Sequence, residues 1–100
     1  MTRIYECLYI VAPDTTEDKI EAVVSETAKI INDNNGKAEP VNRWGKRQLP
    51  YEIKNHRDGI FFHQKFLSGT DVLKPLDKML KLNESVLRFM ITRVVEPSKQ

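Results

Sequence analysis

The chain predicts an α+β fold, a split β-α-β arrangement in the order β-α-β-β-α-β, with two helices on one face of a four-stranded antiparallel sheet. Three observations predict it. Four stretches rich in β-branched and aromatic residues alternate with two stretches of helical period. The second and third strands are separated by so short a turn cluster that they must pair as a hairpin. Finally, 100 residues with 40% apolar and 30% charged side chains supply material for one core.

Residues 4–11 (IYECLYIV) carry only Glu6 as a charge and are closed by Ala12-Pro13, which reads as a first strand, almost all of it fit for burial. Asp14 with Glu17 three residues later has the form of a helix-start box. Ile20, Val23, Val24, Ala28 and Ile31 follow at helical spacing, and Asn34-Asn35-Gly36 supplies the left-handed residues that end the helix. Residues 37–53 are extended but interrupted, because Pro40 removes a ladder donor and Gly45 permits a bend or bulge. One bent strand or two short ones result. Leu49, Tyr51 and Ile53 form a period-two apolar row that anchors this segment.

Asn55-His56-Arg57-Asp58-Gly59 is a turn cluster leading into a third strand over residues 60–67 (IFFHQKFL). Ser68-Gly69-Thr70-Asp71 opens a second helix with Val72, Leu73, Leu76, Met79, Leu80 and Leu82 on its apolar side. Lys74, Lys78 and Lys81 make a separate solvated stripe. Pro75 is comfortable only in a first turn, so the regular helix starts late or its first turn is distorted. The last strand is residues 86–95 (VLRFMITRVV). Residues 1–96 form a single ferredoxin-like domain, and 97–100 are a short free tail.

Two helices cover only one face of such a sheet, so the other face should be polar unless something binds there. It is not polar. Parity places Leu8 and Ile10 of the first strand, Phe61 of the third and Met90 of the last among positive charges on that face, an apolar row left open for something to bind.

The net charge of +2 is too mild to argue for nucleic acid, but its distribution is polarised. Residues 14–33 hold six acids against Lys19 and Lys29, whereas residues 37–57 hold six bases against Glu39 and Glu52. Arg3, Arg43, Lys46, Arg47, Arg88 and Arg93 come from distant segments that the sheet would bring within reach of one another. Arginine prevails in the strand-borne part of this set, as expected where a planar fork must grip phosphate. Trp44 and Tyr5 lie near these charges and are candidates for stacking on bases or, as aromatics more often are, for the core.

Chemistry is absent from the pattern. His56 and His63 stand alone, with no CxxC, HExxH or acidic cluster at ligand spacing, so no metal is expected. The four glycines form no P-loop and no GxGxxG, and there is no GxSxG. No catalytic residue and no cofactor is expected. Cys7 is the only cysteine and sits among apolar strand residues, which reads as a small buried hydrophobe. No apolar run approaches the roughly 18 residues of a membrane helix, and no targeting segment opens the chain, so a cytoplasmic location is expected.

Residues 45–54 (GKRQLPYEIK) resemble the signature of the family of the sixth protein of the bacterial small ribosomal subunit, in which a Gly and basic residues precede Leu, a small residue, Tyr, any residue and Ile. The opening Arg3-Ile4-Tyr5-Glu6, the Pro13-Asp14 pair, the hairpin ending at Gly59 and the closing residues 86–91 (VLRFMI) extend the resemblance over nearly the whole chain. Pro50 departs from the usual Ala, Ser or Gly and implies an edge or bulge there. Glu52 stands where relatives often have Pro.

The resemblance implies a non-catalytic ribosomal protein of the cytoplasmic ribosome. Its partners would be the central domain of small-subunit (16S) ribosomal RNA and the eighteenth protein of the same subunit, and it would be a monomer when free. Arg3, Tyr5, Arg88 and Arg93 match family positions near the RNA, and Lys46 and Arg47 match the basic turn. Two other readings share the topology: a ferredoxin-like ligand-binding or enzymatic dimer, and a free-standing single-strand RNA binder. Residues 57–62 (RDGIFF) imitate the second only loosely, since the small residue expected between its aromatics is missing.

Overall fold

The computed structural model describes residues 3–94. Strand β1 (Arg3–Val11) is an inner strand, pairing antiparallel with β4 (His56–Ser68) from Arg3↔Ser68 to Val11↔Ile60 and with β5 (Val86–Arg93) from Tyr5↔Arg93. Tyr5, Cys7, Tyr9 and Val11 point to the helix side and are buried, which is why this strand tolerates so little charge. Tyr9 stacks on Phe62 with centroids 5.2 Å apart, fastening β1 to β4 inside the core.

Helix α1 (Glu17–Asp33) buries Ile20, Val23, Thr27 and Ile31 along one stripe. It starts two residues later than the Asp14 box suggests. Pro13 and Asp14 instead form a turn closed by the Thr15 amide donating to the Ala12 carbonyl at 3.1 Å, and Thr16 takes the cap position. The far end closes as expected, with Asn35 at φ 66° and the Gly36 amide donating to the Ile31 carbonyl at 2.8 Å.

The edge strand resolves into two pieces. β2 (Lys37–Ala38) pairs with Leu67 and Phe66 of β4, the chain leaves the ladder around Pro40, and β3 (Asn42–Ile53) rejoins β4 at His63. The sheet order is therefore β2 and β3 along one side of β4, then β1, then β5, five strands where four were expected, because the edge strand is broken in two. The hairpin turn is tighter than the five-residue cluster read from sequence. Lys54 and Asn55 both take positive φ (48° and 68°), which closes β3 onto β4 with a two-residue loop and extends β4 back to His56.

A single 3₁₀ turn over Thr70–Val72 precedes α2 (Leu73–Leu82), so Pro75 falls in the first α-helical turn, where no amide is needed. Val72, Leu76 and Leu80 complete the main core between helices and sheet. Strand β5 ends at Arg93; the end of the strand expected to reach 95 and the 97–100 tail lie outside the described residues. Among the described residues no helix is long and apolar enough to cross a membrane.

A second, smaller cluster forms on the opposite sheet face from Ile10, Ala12, Leu49 and Leu87, with Ile53 and Phe61 packed against it. Leu49 reaches Leu87 because β3 loses register between Gln48 and Ile53, where Pro50 cannot donate to a ladder. The apolar row of β3 thus curls over the open face of the sheet, and its Tyr51 remains 57% exposed.

Candidate nucleic-acid and partner interface

Register defines the open face. Arg88, Ile10 and Phe61 stand side by side across β5, β1 and β4; Met90, Leu8 and His63 form the next row; Thr92, Glu6 and Lys65 the third. The curled segment of β3 closes one side of a hollow of about 200 Å³, in which Leu8, Ile10, Phe61 and Met90 meet Leu49 and Tyr51. All four apolar residues singled out for this face are in it. Ile10 is buried under the segment, whereas Met90 is 54% exposed.

The basic residues do not form one patch. Arg88, on the rim of the hollow, donates from Nη1 to the Tyr51 hydroxyl, and its guanidinium lies 5.9 Å from the centroid of the Tyr51 ring. Arg47, opposite Gly59, lies 5.3 Å over the Trp44 ring. These two share the open face. Lys46 is exposed on β3 opposite Ile60, whose side chain belongs to the helix-side core, so alternation sends it the other way. Arg3 and Arg93 stand opposite Ser68 and Tyr5, at the end of the sheet where β1 starts and β5 finishes, with helix-side parity.

Arg43 is engaged elsewhere. Its guanidinium donates to both carboxylate oxygens of Glu17 at 2.8 and 3.0 Å, tying β3 to the first turn of α1. Hydrogen bonding from Arg43 holds the Glu17 carboxyl below the usual carboxylate range and raises the guanidinium in turn. Tyr5 is a core residue. Its ring stacks on Phe66 with centroids 5.5 Å apart and is 5% exposed, so the expectation that it could stack on a base is corrected by its helix-side position.

Trp44 is the extra residue of a bulge, set between Arg43 opposite Phe62 and Gly45 opposite Phe61, with Gly45 at φ 90°. It lies on His63 at 5.2 Å and 14° between planes, and the Glu6 carboxylate accepts from His63 Nε2 at 2.6 Å. The array Arg47, Trp44, His63, Glu6 therefore crosses three strands. Neither it nor the Arg88–Tyr51 pair is apparent from spacing along the chain. The only sequence signal for the second is Pro50, which announces that the ladder fails and leaves the destination of Tyr51 open.

Burial pushes the Cys7 thiol up to about 12, which keeps it protonated and inert at neutral pH. Among the described residues no three His, Cys, Asp or Glu side chains come together to hold a metal ion. What the face offers is apolar surface beside guanidinium forks, with the carboxylates Glu17, Asp18, Glu21, Glu26 and Asp33 exposed on α1 in the helix layer.

Comparison with known proteins bears on the family and the fold. Residues 4–93 match the family described as Ribosomal protein S6. The chain is 37% identical to the small ribosomal subunit protein bS6 of Natranaerobius thermophilus over 91 residues, 91% of this chain and 95% of that one. It is 38% identical to the bS6 of Streptomyces coelicolor over the same shares of each chain. The crystal structure of 30S ribosomal protein S6 from Thermotoga maritima superposes with a TM-score of 0.87 at 30% identity, covering 94% of this chain and 89% of that one.

Proposed function

Because the chain belongs to the ribosomal protein S6 family, and so is a structural component of the small ribosomal subunit rather than an enzyme, we propose that it binds the central domain of 16S ribosomal RNA. It does so jointly with the eighteenth protein of the subunit, supporting assembly of the platform in the cytoplasmic ribosome, and is a monomer when free. The observation that carries this reading is the open sheet face, where an apolar hollow and two arginine forks lie next to each other.

Affinity for RNA comes from phosphate neutralisation, which falls on Arg88 and Arg47 at this face, on Lys46 on the reverse side of the same edge strand and on Arg3 and Arg93 at the far end of the sheet. The partner covers Leu8, Ile10, Phe61 and Met90. Apolar surface that a lone domain would leave to water is thereby removed from it. The hollow, at about 200 Å³, is smaller than the roughly 300–1,000 Å³ of ordinary ligand sites, which favours a protein side chain over a metabolite. Phe61 is half-buried against the second cluster, which disfavours the reading as a free-standing platform for unstacked bases.

The test is a titration of a central-domain RNA transcript, with the eighteenth protein present, across a range of salt concentrations. Arg88→Ala is expected to weaken binding and to flatten the log-log salt slope by about one unit. Unchanged affinity and slope would remove Arg88 from the interface. Tight binding of the native chain to unstructured RNA without any partner would overturn the joint-assembly reading.

A further inference from the structure

The two aromatic side chains that β3 leaves exposed, Trp44 at 43% and Tyr51 at 57%, each carry one of the open-face arginines. We infer that Trp44 and Tyr51 are positioning residues, which hold the Arg47 and Arg88 guanidinium groups in place for phosphate before RNA arrives. The inference rests on the reading that these two arginines grip phosphate, and goes beyond it by assigning what orders them.

An exposed arginine samples many rotamers, and each one immobilised on binding subtracts from affinity. At Arg47 the Trp44 ring under the guanidinium takes much of that cost in the free protein while leaving N–H edges free to meet oxygen, and at Arg88 the edge of Tyr51 does so. Tyr51 adds a second restraint through its hydroxyl, which accepts one of the five guanidinium donors of Arg88.

The rings are themselves held. Trp44 rests on His63, which is bound to Glu6 of the neighbouring inner strand, and Tyr51 follows Leu49, 6% exposed and packed over Ile10 and Leu87. Each guanidinium is therefore referred to the sheet through two successive contacts. The bulge at Gly45 and the register break after Gln48 are what turn these two aromatics toward the arginines.

The experiment repeats the RNA titration in varied salt on Tyr51→Leu, Tyr51→Phe and Trp44→Leu, alone and combined with Arg88→Ala or Arg47→Ala. Tyr51→Leu is expected to weaken binding about 2- to 10-fold, the worth of one rotamer-rich side chain left unordered. The salt slope stays at its native value because no cation is removed. Tyr51→Phe, which keeps the ring, loses less.

On the Arg88→Ala background Tyr51→Leu has no further effect, and Trp44→Leu has none on Arg47→Ala. A loss that comes from loosening of the hairpin would instead add to the arginine variant, and that result overturns the inference. So does native affinity in Tyr51→Leu and Trp44→Leu when Arg88→Ala and Arg47→Ala weaken binding. If the arginine variants themselves bind with native affinity and slope, the phosphate reading of these residues falls, and positioning falls with it.

Discussion

Gly59 shows how a residue read for one property is needed for another. Spacing marks it as the close of a turn, yet the turn is made by Lys54 and Asn55, and Gly59 sits inside β4 opposite Arg47. A Cβ there would lie 2.3 Å from Cγ2 of Ile10, so the strand is glycine at this point because β1 comes too close. Gly59→Ala is expected to cost about 1–3 kcal/mol as overpacking, seen as a lowered urea midpoint. Ile10→Ala, which deletes the obstructing methyl, should then be less harmful beside Gly59→Ala than the sum of the two; strict additivity would refute the close approach. Turn chemistry is local and can be read from neighbours, whereas this contact joins residues 49 positions apart. Cys7 needed no such information. An unbroken apolar setting announced its burial, and it is fully buried.

At the scale of elements, period and parity were legible because they are properties of the backbone. The inward row of β1 and the buried stripe of α1 follow alternation and helical spacing directly, and Pro75 correctly signalled an irregular start to α2. The path of β3 was legible only in part: Gly45 and Pro50 marked where it departs from a ladder, but nothing in their neighbourhood says toward what. Gly45 differs from Gly59 in cause. Beyond its two chain neighbours no atom stands within 4 Å of its would-be Cβ, and its φ of 90° is what an L side chain resists. Gly45→Ala should therefore cost about 1–2 kcal/mol of backbone strain, and Gly45→Asn less, since Asn tolerates left-handed conformations better. Equal midpoints for the Ala and Asn variants would count against strain as the origin. Because Trp44 is the bulged residue and carries Arg47, Gly45→Ala should also weaken RNA binding, at an unchanged salt slope.

For the whole molecule, the sequence announced a sheet apolar on both faces and a chain polarised in charge, and the fold turns both into geography. Acids line α1 in the helix layer, while Arg47, Arg88 and the hollow share the opposite face. The expectation of one basic patch was too simple, since β5 carries Arg88 and Arg93 five residues apart and an odd spacing on a strand reverses the face. This separation makes the two proposed surfaces independently testable. Met90, 54% exposed beside the hollow, contributes little to the fold, so Met90→Gln should leave stability within about 0.5 kcal/mol of native. It should also leave intact the affinity and salt slope for RNA measured without the protein partner. The gain in RNA affinity on adding the partner, however, should shrink by about tenfold, the equivalent of roughly 1.4 kcal/mol of lost apolar burial. Arg93→Ala should do the reverse, flattening the salt slope by about one unit while preserving the partner's gain. If Met90→Gln leaves that gain untouched, the hollow is not where the partner docks; if Arg93→Ala abolishes it, RNA and partner do not occupy separable surfaces.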